Sequence, residues 1–191
     1  MPGADEDART TALALAVGTG DGRALETFIR ATQPDVWRFI AHLTDICRAD
    51  DLTQETYLRA LSSLHRFQGR SSAHTWLLSI ARRVVIDHAR TAAARPRIAH
   101  HVDWSAAADR HNTQRNAAAE FVETKMLLAG LSHHRREAFV LTQLLGLSYA
   151  QAAEICGCPI GTVRSRVARA REELITAMRS EQTQRRSING D

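Results

Sequence analysis

Arginine is concentrated near the carboxyl end of the chain, where four of these residues fall within eight positions: Arg164, Arg166, Arg169 and Arg171. A guanidinium group is planar, stays charged at any ordinary pH and can donate two parallel hydrogen bonds, which suits it to phosphates and to the edges of bases. The segment could therefore bind a polyanion. The alternative is a solvated helix face, which is what most runs of charge are.

The residues just before these arginines predict two helices joined by a tight turn. Ser148 is a favourable N-cap, and Gln151 three positions later completes a capping box. Gly157 can adopt the left-handed conformation that ends a helix, and Pro159 suits the first turn of the helix that follows. This order of signals is typical of a helix-turn-helix.

The second of these helices separates its residues by type. At about 100° per residue its apolar residues share one stripe, which we predict to be buried: Val163, Val167, Ala170 and Leu174. Small residues and arginine fall opposite, with further arginines at the edges: Gly161, Ser165, Ala168, Arg169 and Glu172, flanked by Arg164, Arg166 and Arg171. Such a face suits a helix in a DNA major groove, where central side chains reach bases and flanking arginines bind phosphates.

A second group of chemically active residues lies on a predicted helix in the first half of the chain. One face is apolar, with Leu52, Thr56, Ala60 and Leu64 in line. The other face is acidic and polar but carries an exposed leucine: Asp51, Gln54, Glu55, Leu58 and Ser62. This surface suits a protein partner that carries arginines better than it suits nucleic acid, although an ordinary solvated helix face is the alternative.

A polar loop with basic and aromatic neighbours follows. Phe67 and Trp76 bracket it, and Arg66, Arg70, Ser71 and Ser72 lie within or beside it. The helix after the loop has a predicted buried stripe of Leu77, Ile80, Ala81 and Val84, with Arg82, Arg83, Ile86 and Arg90 on the other side. Cations, a hydroxyl-lined loop and aromatic rings suit single-stranded nucleic acid. The alternative is that the aromatic rings are core, which we favour for Trp76, and which leaves the loop and the arginines as the contacting groups.

The elements that position these residues are all predicted to be helices, because no segment alternates in the manner of a strand. The predicted helices cover residues 24–33, 35–43, 49–64 and 72–93 in the first half, and 122–131, 132–144, 148–155 and 159–178 in the second. Pro34 is expected to end the first of them. Hydrophobic residues make up 44% of the chain and charged residues 24%, as in ordinary globular proteins.

Charge and periodicity divide the chain. The formal net charge is +4, and 24 of the 25 basic residues are arginine, the exception being Lys125. We predict an all-α fold of two small helical domains joined by a polar, flexible linker. The predicted segments are an N-terminal extension (1–20), a first domain (21–95), a linker (96–121) that contains His100, His101 and His111, a second domain (122–178) and a C-terminal tail (179–191).

Read together, these motifs resemble a bacterial protein family. Residues 51–60 (DLTQETYLRA) resemble the polymerase-binding helix of sigma factors, residues 75–90 resemble their −10 recognition helix, and residues 146–171 resemble their −35 recognition motif. With two domains and a short linker, the chain is similar to the extracytoplasmic-function (ECF, group 4) sigma factors of the sigma-70 superfamily. The resemblance implies a first domain of the sigma region 2 type and a second of the region 4 type.

The resemblance also implies roles for individual residues. Polymerase binding to the clamp of the largest subunit would use Asp51, Gln54, Glu55 and Leu58. Reading of the −10 element, including a flipped base of the non-template single strand, would use Arg70, Ser71, Ser72, His74, Arg82 and Arg83. Reading of the duplex −35 element, with the second domain on the flap of the second subunit, would use Thr162, Arg164, Ser165, Arg166, Ala168, Arg169 and Arg171. Family members are often held by an anti-sigma factor, which makes such a protein a candidate partner.

Other classes of function are disfavoured. No nucleophile, histidine and acid form a recognisable motif, so we expect neither catalysis nor a cofactor. Cys156 and Cys158 with His133 and His134 could suggest a metal or redox site, but their spacing is not that of a structural zinc site, so we expect no metal. We also expect a cytoplasmic protein without a membrane-inserted segment. A stand-alone helix-turn-helix activator or repressor is the serious competitor, and it would bind duplex DNA by itself as a dimer.

Overall fold

The computed structural model describes residues 4–94 and 112–188, and within these ranges the chain is helical and contains no strand. This confirms the predicted all-α fold. The described elements are α1 (Ala4–Gly18), α2 (Gly22–Leu43), α3 (Ile46–Leu64), α4 (Ala73–Ala94), α5 (Asn112–Ala129), α6 (His133–Phe139), a π-helical segment (Val140–Leu144), α7 (Tyr149–Cys156) and α8 (Ile160–Ile188).

Helix α2 continues through Pro34, so the prediction that this proline ends a helix was wrong. Proline inside a helix cannot donate to the carbonyl of Arg30 and costs about 3 kcal/mol. The helix persists because its apolar stripe runs across the proline: Phe28, Val36 and Phe39 are all fully buried. Each such side chain contributes about 1.5–3 kcal/mol on burial, which offsets the local cost.

The predicted N-terminal extension contributes a helix to the first bundle. α1 packs against α2, α3 and α4. Ala14 and Thr10 are buried in this packing. The segment carries no recognisable motif, but its regular apolar positions are enough to attach it to the core.

The predicted linker is described only from residue 112 onward. There it is not a polar loop, because α5 begins at Asn112 and includes residues 112–121. Phe121 near the middle of α5 packs its ring against Trp37 and His42 of α2, with ring centroids 5.2 and 4.5 Å apart. The linker histidines His100, His101 and His111 lie outside the described residues.

The second domain packs directly on the first. α7 lies against α4, and α6 lies against α2. Lys125 of α5 donates hydrogen bonds to the carbonyls of Ala41 and Thr44 at the end of α2. Leu78 and Val85, outside the predicted stripe of α4, are buried as well. α4 is therefore enclosed on more sides than its own sequence indicates.

None of the helices in residues 4–94 and 112–188 combines the length and the apolar character that a bilayer crossing requires.

Candidate nucleic-acid interface

The helix-turn-helix forms as its sequence signals predict. Ser148 Oγ accepts a hydrogen bond from the backbone N–H of Gln151 (3.2 Å), and Gln151 Oε1 accepts one from the N–H of Ser148 (2.9 Å). Gly157 ends α7 with a φ of 63°. The predicted capping box and left-handed terminus are thus confirmed. Together they fix the point where α8 begins.

The two faces of α8 are also those predicted from the sequence. Val163, Val167 and Ala170 are at most 1% exposed, and Leu174 packs against them from a half-buried position. The opposite face is exposed along its length: Gly161, Arg164, Ser165, Ala168, Arg169, Arg171 and Glu172. A continuous solvent-facing surface of small side chains and arginines is therefore available on one helix.

The arginines of α8 differ in the contacts that they make within the protein. Arg171 donates a 2.6 Å hydrogen bond to Gln143, and Arg166 makes a 3.6 Å contact with the sulfur of Cys158. Arg164 and Arg169 are exposed and have no hydrogen-bond or ion-pair partner in the described residues. Thr162 is half-buried at the start of this face. Arg164 and Arg169 are thus the cations of this surface with the greatest freedom to meet a ligand.

Two aromatic rings bracket the loop before α4. Phe67 and Trp76 lie with their centroids 4.9 Å apart and pack against the core, which confirms the interpretation of Trp76 as a core residue. Ser72 caps α4, since its Oγ accepts the N–H of Thr75 at 3.2 Å. Arg70 is exposed between these points, while the loop serines are half-buried. The loop therefore presents a cation and hydroxyls in the segment between two aromatic residues that pack on the core.

His74 does not join that surface. Its side chain is buried, with Nδ1 3.9 Å from Asp7 and Nε2 3.3 Å from Asp35. The second contact lacks hydrogen-bond geometry, so Nε2 has no hydrogen-bond partner. The imidazole is thus buried among these acids in this arrangement, and its contact with the −10 element stays a prediction.

Arg82 and Arg83 lie side by side in α4 but in different surroundings. Arg82 Nε donates a 2.6 Å hydrogen bond to Glu137 Oε1 of α6, and Glu137 is fully buried. Arg83 is exposed and has no partner in the described residues. The predicted pair is therefore divided, with one cation held between the domains and the other free.

The acidic face of α3 is exposed as predicted. Asp51 and Gln54 face solvent, and Leu58 is 64% exposed. Glu55 is half-buried and bound to Arg59 (2.7 Å), which also binds Asp87 (2.7 Å). These two carboxylates raise the pKa of Arg59. Of the two acids on this face, only Asp51 has no ion-pair partner in the described residues.

Sequence reasoning missed the residues that join the domains. Glu137 stands in the polar run HHRREAF, whose charges predict a solvated segment. Lys125 is distinctive in the sequence only because it is the one lysine of the chain. Neither position could be assigned without knowing which helix lies opposite.

The cysteines show no metal-binding arrangement. Burial is the main cause that raises the pKa of the Cys156 thiol to about 12, and Cys47 is exposed on another helix. Within residues 4–94 and 112–188, no three His, Cys, Asp or Glu side chains come together as metal ligands.

Two protein-family models match the chain: Sigma-70 region 2 over residues 28–95, and Sigma-70, region 4 over residues 122–174. The chain is 54% identical to the ECF RNA polymerase sigma factor SigC of Mycobacterium tuberculosis, over 90% of this chain and 92% of that protein. It is 39% identical to the ECF RNA polymerase sigma factor EcfG of Rhodopseudomonas palustris, over 79% and 83% of the two chains.

Solved structures show the same fold. CnrH, in complex with the cytosolic domain of CnrY, has a TM-score of 0.71 at 22% identity and covers 90% of this chain and 98% of its own. The sigma factor RpoE of Bartonella quintana, in complex with the anti-sigma factor NepR, has a TM-score of 0.64 at 28% identity and covers 81% and 96%. The exposed faces of α3 and α8 fall within the region 2 and region 4 matches respectively. The chain therefore belongs to the ECF sigma factors of the sigma-70 family, which bind core RNA polymerase and direct it to specific promoters.

Proposed function

We propose that α3 docks this sigma factor on the clamp of the largest polymerase subunit through Asp51, Gln54, Glu55 and Leu58. The exposure of Leu58 on the same helix face as Asp51, which has no ion-pair partner in the described residues, is the observation that carries this assignment. A large apolar side chain left in water on one face with such a carboxylate supports a protein partner with an apolar contact and a cation.

The −10 element is read by the loop before α4 and by the arginines that follow it. Arg70, Ser71 and Ser72 lie on the loop, between Phe67 and Trp76 in the chain, whose rings pack together. A non-template base flipped out of the stack costs a few kcal/mol, which contacts with such a loop can offset. Arg83 neutralises phosphate from its exposed position, and Arg82 can do so only after it leaves Glu137.

The −35 element is read as duplex DNA by α8 in the major groove, with the second domain on the flap of the second subunit. Arg164 and Arg169, which have no partner in the described residues, are best placed for base edges, with Ser165 and Ala168 between them. The residues that complete the surface are Thr162, Arg166 and Arg171. Arg171 is held by Gln143 toward one edge, which suits a phosphate contact.

The packed arrangement of the two domains holds one of the proposed −10 residues in an ion pair. Arg82 is bound to Glu137 between the domains, so DNA binding by Arg82 requires that this ion pair breaks. The complex of the Bartonella sigma factor with NepR supports an anti-sigma factor as a further partner of this chain. The chain itself performs no bond chemistry, since polymerase forms the phosphodiester bonds.

The docking assignment is tested by reversing charge on α3. Asp51→Arg combined with Glu55→Arg places cations against the proposed basic partner surface. We expect affinity for core polymerase to fall at least tenfold, about 1.4 kcal/mol or more, and promoter-specific transcripts to disappear. The measurements are fluorescence anisotropy of labelled protein with core enzyme, and run-off transcription.

Glu26→Arg is the matched control, because Glu26 pairs with Arg30 on α2 at 2.6 Å much as Glu55 pairs with Arg59. It removes the same kind of surface ion pair elsewhere and should leave polymerase affinity within about twofold, since such pairs contribute little. If the α3 double variant assembles and transcribes like the wild type, the docking assignment is wrong.

A further inference from the structure

Helix α1 lies outside both matched family regions, which begin at residue 28 and at residue 122. It nonetheless packs against α4, the helix that follows the −10 loop. Its contacts with that loop are specific and polar as well as apolar. They assign α1 a role that neither family match provides.

Thr11 of α1 is hydrogen-bonded to the first residue of α4. Its Oγ1 accepts the backbone N–H of Ala73 at 3.0 Å and donates its own proton to the carbonyl of Asp7 at 2.7 Å. The first N–H groups of a helix have no acceptor within the helix. Ser72 supplies an acceptor for Thr75 N–H, and Thr11 supplies one for Ala73 N–H.

The other end of the loop faces α1. Gly69 has a φ of +67°, and a Cβ placed on it would lie 3.8 Å from Thr11 Cγ2 and 3.7 Å from Leu15 Cδ1. These are ordinary van der Waals distances, so both side chains face Gly69 across the space that a methyl group would fill. Thr11 is thus hydrogen-bonded to the end of the loop at Ala73 and faces its beginning at Gly69.

We infer that Thr11 is a positioning residue for promoter reading. Its hydroxyl sets the end of the loop at Ala73. Arg70, Ser71 and Ser72, which come just before, are then presented to the non-template strand in one conformation, so that less ordering is needed on binding. The inference rests on the proposed function of the loop in −10 reading.

The test uses holoenzyme assembled from core polymerase and the full-length chain. The probe is a single-stranded non-template oligonucleotide that spans the −10 element of a promoter opened by the wild-type holoenzyme. Thr11→Val keeps the shape but removes the acceptor for Ala73 N–H, and Thr11→Ser keeps the acceptor. We expect Thr11→Val to raise the dissociation constant about fivefold to tenfold, as for loss of a helix cap, and Thr11→Ser to stay within about twofold.

Thr10→Val is the matched control. Thr10 donates to the carbonyl of Glu6 at 2.8 Å, as Thr11 does to Asp7, but it makes no hydrogen bond with the loop. This variant should bind the oligonucleotide within about twofold of wild type. Affinity for core polymerase and for duplex −35 DNA should not change in any of the three variants. Equal losses in Thr10→Val and Thr11→Val would overturn the inference, because they would show a general effect of α1.

Two further variants distinguish failure of the proposed −10 reading by the loop from failure of the positioning role of Thr11. If Arg70→Ala and Ser72→Ala bind the oligonucleotide like wild type, the loop does not read the −10 element and the proposed function fails there. If they weaken binding while Thr11→Val does not, only the positioning role is wrong. Should Thr11→Val not fold, Thr11→Ala decides the question, because it also removes the acceptor for Ala73 N–H. Unchanged binding by Thr11→Ala would then refute the inference.

Discussion

Arg82 and Glu137 form an ion pair that joins the −10 helix to the second domain, with Nε and Oε1 2.6 Å apart. Glu137 is fully buried, and its other oxygen, Oε2, has no hydrogen bond; His134 Nδ1 is 3.9 Å away. A buried carboxylate with one unsatisfied oxygen is costly, and the guanidinium is its main compensation. The packing of the two domains therefore depends on a residue that we propose for DNA reading.

Arg82→Ala should separate the two domains in the free protein. The substitution leaves Glu137 buried without its cation, which costs about 3–5 kcal/mol in comparable pairs. Separation returns the carboxylate to water and avoids that cost. Small-angle X-ray scattering should therefore show a larger radius of gyration than that of the wild type. Arg83→Ala is the control for this measurement, because Arg83 is exposed without a partner in the described residues.

The double variant Arg82→Met with Glu137→Leu should restore the compact form. Buried ion pairs can be replaced by apolar side chains of similar volume at little cost, and sometimes with a gain in stability. The radius of gyration should return to the wild-type value. An extended double variant, or a compact Arg82→Ala protein, would contradict the dependence of domain packing on this ion pair.

His42 should make the protein less stable in mild acid. Burial, and then the charges of Lys125, Arg38 and Arg136, lower its pKa from 6.5 to about 4. The His42 imidazole therefore binds a proton near pH 6.5 in the unfolded chain, but only near pH 4 in the folded chain. The contribution of His42 to stability is constant above about pH 7, falls as the pH drops through this window, and levels off below it, with a total change of at most about 3 kcal/mol.

Urea unfolding of wild type and His42→Leu at about pH 7 and about pH 5 measures this effect. The variant should lose less stability between the two conditions, since it has no imidazole to protonate at that site. Some loss of stability between the two pH values should remain in His42→Leu, because burial also lowers the pKa of His133. An equal loss in both proteins would show that His42 is not the acid-sensitive group.

The helix-turn-helix and the exposed faces of α3 and α8 could be predicted because their signals are local. Ser148 and Gln151 lie three residues apart, and the apolar stripe of α8 repeats within one helix. Glu137 could not be predicted, because a charge among other charges indicates solvent, and only the position of Arg82 on another helix explains its burial. The prediction that Pro34 ends a helix was wrong for the same reason, because the tertiary packing of Phe28 and Val36 outweighs a local stop signal.

Gly157 and Gly161 should respond in opposite directions to alanine. Neither has any atom within 4 Å of an added Cβ, so only the backbone conformation distinguishes them. Gly157 has a φ of +63°, where a side chain costs about 1–2 kcal/mol. Gly161 lies in the first turn of α8 without a positive φ, so alanine there should stabilise by up to about 1 kcal/mol. Urea unfolding measures both, and a Gly157→Ala protein as stable as wild type would contradict the left-handed turn.

Arg164 and Arg171 should have separable effects on −35 binding. Arg164→Ala removes a cation that has no partner in the described residues and that we propose for a base edge, so discrimination at one base pair should fall by about 1–3 kcal/mol. Arg171→Ala removes a cation held by Gln143 at the edge of the face, so binding should weaken on all sequences alike.

Holoenzyme binding to duplexes with single −35 substitutions, at several salt concentrations, measures both quantities. Arg171→Ala should lower the salt dependence by about one unit of slope without changing the preferred sequence, since one phosphate contact is lost. Arg164→Ala should relax the preference at one position only. If Arg164→Ala instead weakens every duplex equally, its guanidinium binds phosphate, and base reading by α8 then falls to Arg169 and its small neighbours Ser165 and Ala168.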